Sequence, residues 1–209
     1  MKNEEVSQMM WKRLVEKMKR EDIEGVKPFG FGNQGIWVPK YINPSLRFTK
    51  YQEGDHFKPH RDGGFIINDD VRSVFTVIVY LNHLDFTGGD TLLFESKNAI
   101  PQPESHSIDE NYENRADKLD KSHFNVHSVS PLSGMALVFN HDLLHEASPV
   151  SSPPPSTKYI LRTDVCFSLF PSFLSLSFLP FLPFLSSPLS AFLPISRCPL
   201  LFHCVLEVS

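Results

Sequence analysis

A histidine and an aspartate stand two positions apart at His60 and Asp62, and a further histidine, His145, follows much later in the chain. Two imidazole nitrogens and one carboxylate oxygen are the protein ligands of the facial triad, which binds non-haem Fe(II) and leaves coordination positions open for chemistry. In a strand, residues i and i+2 point to the same face, so His60 and Asp62 can share one metal ion while Arg61 points away. The spacing therefore predicts an iron site made of His60, Asp62 and His145.

The surroundings of this pair matter, because nine histidines in 209 residues make a chance His-x-Asp common. Short runs of β-branched and aromatic residues, divided by Gly, Pro and Asp turns, predict strands on both sides of the pair. The run at 73–82 is too apolar to be exposed on both faces. These short strands predict a double-sheet β barrel. The predicted strands are 46–51, 73–82, 91–94, 134–140 and 158–165.

Several separated motifs together point to one family. They are Asn43 to Tyr51, His60-Arg-Asp-Gly-Gly, Tyr80-Leu-Asn, Gly88 to Thr91, Phe139-Asn-His and His145-Glu-Ala-Ser-Pro. Over about residues 10–165, the chain resembles the prolyl 4-hydroxylase-like branch of the Fe(II)/2-oxoglutarate dioxygenases. The resemblance implies a mainly β fold, with a double-stranded β-helix (jelly-roll) core and a flanking N-terminal helix. It also implies Fe(II), 2-oxoglutarate and O2, with ascorbate as the reductant that keeps the iron ferrous.

The activity implied by this resemblance is hydroxylation of a substrate C–H bond, with succinate and CO2 as co-products. A peptidyl proline is the first expectation, so a protein or peptide would be the partner. The same chemistry on another side chain or on a small molecule is an alternative, because substrate choice depends on loops. An alternative of a different class is a jelly-roll binding module that is non-catalytic, or a defective truncated one.

The far carboxylate of 2-oxoglutarate needs a fixed cation, because burying it unpaired would be costly. Lys158 and Arg162 both qualify, but they stand roughly 13 Å apart along a strand and are not expected to hold one carboxylate together. The resemblance favours Lys158, and it matches Tyr80 to a tyrosine whose hydroxyl helps to hold the same carboxylate. A plain core role for Tyr80 is the other interpretation. Tyr51, Thr91 and Arg162 are further candidates to line the pocket.

The pair His141 and His145 has the spacing of a helical zinc site. A strand-like run before it and Pro149 after it disfavour a helix, and no glutamate follows His141 as in the H-E-x-x-H motif. We therefore predict that His141 lies behind the metal ligands or is structural. Five of the other histidines receive no functional role: His56, His83, His106, His123 and His127.

The chain divides into three predicted parts. Residues 1–45 contain a helix over 4–20, which should buttress the barrel with a methionine-rich stripe, and a Gly/Pro-punctuated connection. Residues 46–165 form the dioxygenase core, with a polar insertion at 96–125. Residues 166–209 are a Phe/Leu/Ser/Pro tail to which we assign no fold. Pyrimidine-only codons encode those four amino acids, so read-through into an intron is a hypothesis for its origin.

Charge and cysteine content exclude some classes of protein. A formal net charge of −4 gives no basic signature for nucleic acid or for an anionic membrane. All three cysteines lie beyond residue 165, so the body has no disulfide framework and no thiolate metal site. The charged, amphipathic N-terminus does not resemble a signal peptide, and we therefore favour a cytoplasmic location. The oligomeric state is left open.

Overall fold

The computed structural model describes residues 1–28, 35–97, 120–151 and 157–170, and residues 201–205 for their backbone alone. Within these ranges the helices and strands are α1 Glu4–Val15, α2 Arg20–Ile23, β1 Ile36–Ile42, β2 Arg47–Gln52, β3 Phe57–His60, β4 Ile66–Asn68, β5 Val71–Tyr80, β6 Thr87–Gly88, β7 Thr91–Ser96, β8 Phe124–Val129, β9 Met135–Asn140, β10 Leu144–Ala147, β11 Val150–Ser151, β12 Thr157–Phe170 and β13 Leu201–Val205, with a 3-10 turn at Lys121–His123.

Helix α1 begins at a side-chain cap and packs with its apolar stripe. The side chain of Asn3 accepts a hydrogen bond from the backbone N–H of Val6, at 3.0 Å, which satisfies one of the free donors of the first turn. Met10 and Leu14 are buried in a cluster with the strands of the larger sheet. The predicted buttress is therefore present, but α1 ends at Val15 and a separate short helix follows.

The larger sheet has the order β1-β12-β5-β9-β13, all antiparallel, with β2 on the free part of β12 and β4 on β5. The smaller sheet has the order β3-β10-β7-β8. β6 and β11 form a separate two-stranded pair. The predicted mainly β fold with a flanking N-terminal helix is confirmed.

Strand β5 has its two faces in two different hydrophobic clusters. Val77 and Val79 pack in the outer cluster, which also contains Leu14 of α1. Ile78 and Tyr80 pack in the inner cluster, between the two sheets. This arrangement confirms that the run at 73–82 is not exposed on both faces, and it uses the alternation of side chains along a strand. The inner face is the one that reaches the candidate site.

Some predicted boundaries are wrong. The connection predicted before residue 46 contains β1, and the insertion predicted to end at Asn125 gives way to the 3-10 turn at Lys121–His123 and to β8. Most of that insertion, residues 98–119, lies outside the described residues, as do residues 152–156. The strand geometry invoked for the spacing of His60 and Asp62 holds only for His60, because β3 stops there and Asp62 follows it.

The boundary predicted after residue 165 falls inside a strand. β12 continues to Phe170 and pairs with β1, and Cys166 and Phe167 are completely buried. Phe167 belongs to the outer cluster and Cys166 is equally buried beside it, so both residues are part of the folded core. The backbone of β13 pairs with β9, while residues 171–200 and 206–209 lie outside the described residues. No helix in the described parts of the chain combines the length and the apolar character that a membrane span requires.

Candidate metal centre and anion pocket

The smaller sheet brings the three predicted metal ligands together. His60 at the end of β3 is the cross-strand partner of His145 in β10, and their ring centroids are 4.2 Å apart. Asp62 lies just after β3, where its backbone N–H donates to the carbonyl of His141 at 3.0 Å. One ligand atom from each of His60, Asp62 and His145 lies within 4.8 Å of the other two. Arg61 is exposed, as predicted.

Both histidines present the same nitrogen to the centre of the group. The Nδ1 of His60 donates to the carbonyl of Lys58 at 2.8 Å, and the Nδ1 of His145 donates to the carbonyl of Leu143 at 2.9 Å. These bonds fix the tautomer and leave each Nε2 unprotonated. Each Nε2 lies 3.6 Å from a carboxylate oxygen of Asp62. The result is a set of two nitrogens and one oxygen that converge on one point.

Asp62 is a buried carboxylate that stays ionised. Burial acts to raise its pKa, but the polar contact with His60, the nearby His145 and Arg162, and the Thr76 hydroxyl together hold the pKa well below its usual range. The guanidinium of Arg162 lies 2.6 Å from Oδ1, and the Thr76 hydroxyl donates to Oδ2 at 2.5 Å. An ionised carboxylate is the form that a metal ion binds.

His145 is held in its neutral form. Burial is the main cause and lowers its pKa to about 4, although the charge of Asp62 acts in the opposite direction. His145 is 4% exposed, and its ring packs edge-on against Phe139 at a centroid distance of 4.5 Å. A neutral imidazole beside an ionised carboxylate suits a divalent metal ion.

His141 lies behind Asp62 and does not join the group of ligands. Its Nδ1 lies 2.9 Å from the Thr76 hydroxyl and its Nε2 lies 2.9 Å from the Ser73 hydroxyl. Burial is the main influence on its pKa, which is lowered. The residue follows strand β9 in a turn, so the helix that a zinc site of this spacing needs is absent there.

A second polar region surrounds Lys158. This lysine is 1% exposed, and its Nζ donates to the carbonyl of Gly89 at 2.5 Å. The Nζ also lies 5.1 Å from the ring centroid of Tyr51 and 5.5 Å from that of Tyr80. The hydroxyls of Tyr80 and Thr91 are hydrogen-bonded at 2.7 Å. The structure thus places together four of the residues predicted for cofactor binding or for the pocket.

Lys158 has no carboxylate partner among the residues that the structure describes. Burial lowers its pKa to about 8, and the charge of Asp90 opposes this only in part. A buried ammonium is costly unless an anion compensates it. The site therefore favours a ligand that brings a negative charge to Lys158.

Arg162 lies on the same face of β12 as Lys158, at the end next to the metal ligands. It forms its ion pair with Asp62, whereas the neighbouring acid Asp164 pairs with Arg47 at 3.2 Å. The Nε of Arg162 is buried and has no hydrogen-bond partner within the described residues. Ile160 lies between Lys158 and Arg162 on this face of β12 and packs in the inner cluster. This face of β12 thus has Arg162 beside the metal ligands at one end, the apolar Ile160 in the middle and the buried cation of Lys158 at the other end.

Comparison with known proteins decides the family. The family model of the 2OG-Fe(II) oxygenase superfamily matches residues 46–163, which is more than half of the chain. The chain belongs to the 2OG-Fe(II) oxygenase superfamily. A comparison with curated proteins finds no match.

Several solved structures are similar to this 2OG-Fe(II) oxygenase. An oxidoreductase of the 2OG-Fe(II) oxygenase family from Burkholderia pseudomallei shows 14% identity and a TM-score of 0.38, over 68% of this chain and 47% of that one. A Pseudomonas putida prolyl-4-hydroxylase shows 18% identity and a TM-score of 0.36, over 61% and 52%. AviO1 from Streptomyces viridochromogenes shows 20% identity and a TM-score of 0.33, over 64% and 52%. The chain therefore spans about half the length of these structures.

The superfamily implies Fe(II), 2-oxoglutarate and O2, and the residues of this chain fit the iron. Two fixed imidazole Nε2 atoms and one ionised carboxylate provide the donor set that Fe(II) takes in such enzymes. Sequence reasoning missed Thr76, which donates to Asp62, and Ser73, which contacts His141. The available signal was the pair of hydroxyl side chains that interrupts the apolar run of β5.

Proposed function

We propose that this 2OG-Fe(II) oxygenase hydroxylates a substrate C–H bond, with a peptidyl proline as the first candidate substrate and succinate and CO2 as co-products. One observation carries the proposal. The inner surface is the face of β12 that carries Lys158, Ile160 and Arg162. The donor atoms of the three metal ligands converge at its Arg162 end, and the buried cation of Lys158 lies at its other end.

The inner surface suits a short dicarboxylate such as 2-oxoglutarate. Lys158 supplies a cation for one carboxylate, beside the hydroxyls of Tyr80 and Thr91. Ile160 supplies an apolar contact between the two ends, which matches the methylene groups of such a ligand. Arg162 and Lys158 are roughly 13 Å apart along β12, so each serves its own end of the pocket.

The residues of the site orient and shield the reaction. When bound, Fe(II) together with 2-oxoglutarate and O2 supplies the oxidising chemistry that places a hydroxyl group on the substrate carbon. His60 and His145 hold their Nε2 atoms toward the metal position, and Asp62 provides a charged oxygen. The buried rings and side chains of the inner cluster keep water away from this end of the barrel.

A peptide substrate is supported by the rim next to the metal centre. Phe57, whose ring centroid lies 4.2 Å from that of His60, is half exposed, and Phe65 and Ile66 are also exposed beyond Asp62. An apolar rim of this kind suits the side chains of an extended peptide. We include ascorbate in the proposal as the reductant that keeps the iron ferrous, because the sequence resembles the prolyl 4-hydroxylase-like branch.

The first experiment needs no substrate. Fe(II) and 2-oxoglutarate are added without oxygen to the full chain, and the weak visible charge-transfer band of an Fe(II)–keto-acid chelate is recorded. We expect a band in the wild type that is absent in His145→Ala and present in His123→Ala, a control that changes an exposed histidine outside the site. A folded wild type without the band would contradict the oxygenase proposal and favour a binding module.

A second experiment addresses the substrate class. Succinate formation is measured with a set of proline-containing peptides and with the same peptides carrying alanine in place of proline. We expect proline-dependent succinate and the addition of one oxygen atom to the peptide by mass spectrometry. Equal turnover of both peptide sets would overturn the proline assignment and leave the oxygenase chemistry standing.

A further inference from the structure

We propose that Thr76, His141 and Ser73 form a hydrogen-bond relay of fixed direction that positions the carboxylate of Asp62 for metal binding. Thr76 contacts Oδ2 of Asp62 at 2.5 Å, His141 contacts Thr76 at 2.9 Å, and Ser73 contacts His141 at 2.9 Å. The inference rests on Asp62 as a metal ligand, and the three residues are positioning residues that do not touch the reacting atoms.

The chemistry of each group allows a single order of hydrogens along the relay. The ionised carboxylate of Asp62 can only accept, so Thr76 uses its one hydroxyl hydrogen there. The Nδ1 of His141 must therefore donate to Thr76, and the Nε2 of the neutral ring must accept from the hydroxyl of Ser73. The oxygen of Ser73 in turn accepts from the backbone N–H of Phe65 at 2.6 Å. Each member is thus satisfied in one arrangement.

A β-bulge aims Ser73 and Thr76 at the same side of strand β5. Side chains three positions apart in a regular strand point to opposite faces. In β5, Val165 of the partner strand pairs with Phe75 and Cys166 pairs with Ser73, so β5 contains one extra residue, Val74. Val74 and Phe75 both pack in the outer cluster, and this shift returns Ser73 to the inner side. Bulges next to active sites commonly re-aim a side chain in this way.

Burial makes the relay rigid. Thr76 is fully buried, and Ser73, His141 and Asp62 are 4%, 6% and 8% exposed. Water cannot easily replace a lost partner at such positions, so a broken bond would leave an unsatisfied polar group. The backbone reinforces the arrangement, because Asp62 donates to the carbonyl of His141 and Ser73 donates to the carbonyl of Phe65.

The relay orients Asp62, which lies beyond the end of strand β3. Asp62 lies beyond the last strand residue, His60, and the sheet therefore does not orient its side chain. Thr76 fixes Oδ2 and Arg162 fixes Oδ1, so the carboxylate is oriented before a metal ion arrives. The relay also engages both nitrogens of His141, which keeps this third nearby imidazole out of the donor set.

The test measures Co(II) binding to the full chain, by titration of the visible d–d absorption. Thr76→Val keeps the shape of the side chain and removes its hydroxyl, and we expect Co(II) affinity to fall about tenfold or more, with a changed d–d spectrum. Thr76→Ser restores the hydroxyl and should bind within about threefold of the wild type. Thr163→Val is the matched control. Thr163 is equally buried and donates to the carbonyl of Asn43 at 2.6 Å, outside the relay.

A second pair of variants tests the direction of the relay, and it does not require Thr76→Val to fold. An asparagine amide reaches the position of Nδ1, whereas a glutamine amide reaches that of Nε2. His141→Asn keeps a donor for Thr76, so we expect it to bind Co(II) more tightly than His141→Gln. Equal affinities of these two variants would overturn the relay, as would wild-type affinity and spectrum in Thr76→Val.

The two proposals fail in different ways. If the wild type binds no Co(II), the metal site is contradicted, and the role of the relay is contradicted as well. If the wild type binds Co(II) and gives the Fe(II)–keto-acid band while the relay variants match it, only the relay is wrong. Loss of affinity in Thr163→Val equal to that in Thr76→Val would also overturn it, because general destabilisation would then explain both.

Discussion

Arg162 and Asp62 form a buried ion pair of 2.6 Å between the last long strand of the larger sheet and the loop that carries the metal motif. Asp62 has 2% of its side chain exposed and Arg162 has 23%. The guanidinium therefore compensates a carboxylate that would otherwise be buried without a counter-charge. It also places a permanent positive charge next to the position of the metal ion.

This pair predicts a stability effect that depends on metal. Arg162→Met should lower the free energy of unfolding of the metal-free protein by about 3 kcal/mol, because Asp62 is left uncompensated. Saturating Co(II) should remove much of this difference, since the metal supplies the missing positive charge. Urea unfolding with and without Co(II) measures both values.

The control for this prediction is Arg47→Met. Arg47 also pairs with a fully buried carboxylate, that of Asp164, at 3.2 Å, but outside the metal centre. Any loss of stability in this variant should be the same with and without Co(II). If Arg162→Met behaves like the control, Arg162 contributes by packing and its charge does not replace that of the metal.

Lys158→Met should weaken 2-oxoglutarate binding and leave metal binding intact. The substitution keeps a long apolar side chain among Tyr51 and Tyr80 and removes the one cation found at that end of the described pocket. We expect the Kd for 2-oxoglutarate to rise by about a hundredfold, the equivalent of one charge-assisted contact. The amplitude of the Fe(II)–keto-acid band against 2-oxoglutarate concentration gives this Kd.

Lys121→Met provides the matched control for Lys158. Lys121 also lies over an aromatic ring, that of Phe94 at 5.2 Å, but it is exposed and paired with Glu146. Its replacement should leave the Kd unchanged. A normal Kd in Lys158→Met together with a raised Kd in Arg162→Met would move the carboxylate site to Arg162.

The pH dependence of 2-oxoglutarate binding should report the charge of Lys158. Burial lowers its pKa to about 8, so the free protein loses this charge as the pH rises through about 8. The bound dianion favours the protonated lysine, and affinity should therefore fall by up to about tenfold per pH unit above that value. Below it, affinity should be flat with respect to Lys158. In Lys158→Met this alkaline decline should disappear, and its persistence would assign it to another group.

The sequence was sufficient for the parts of the site that local spacing controls. Lys158 and Arg162 lie four positions apart in β12, so the face that they share follows from strand periodicity. The spacing of His60 and Asp62 predicted a shared metal ion, although Asp62 lies beyond the end of β3 and is oriented by contacts from outside that strand. The structure brings His60, Asp62 and His145 within reach of one ion. The assignments of Lys158 and Tyr80 to 2-oxoglutarate stay predictions, although the two residues lie together.

Long-range pairing explains what the sequence could not predict. The bulge at Val74 exists only in relation to the register of β12, so Ser73 and Thr76 could not be assigned to one side from β5 alone. The pair of Arg162 with Asp62 joins segments a hundred residues apart in the chain. Likewise, β12 passes the predicted boundary because β1 provides partners for Cys166 and Phe167.

The extension of β12 beyond residue 165 makes a prediction about stability. Phe167 is fully buried, and its ring packs edge-on against Phe75 at a centroid distance of 5.3 Å, whereas Phe170 at the strand end is 45% exposed. Phe167→Ala should lower the free energy of unfolding by about 3–5 kcal/mol, because it opens a cavity in the outer cluster. Phe170→Ala should cost under about 1 kcal/mol. Urea unfolding of the two full-length variants measures the difference, and equal small losses would mean that the core ends before Cys166, as the composition of the sequence alone indicated.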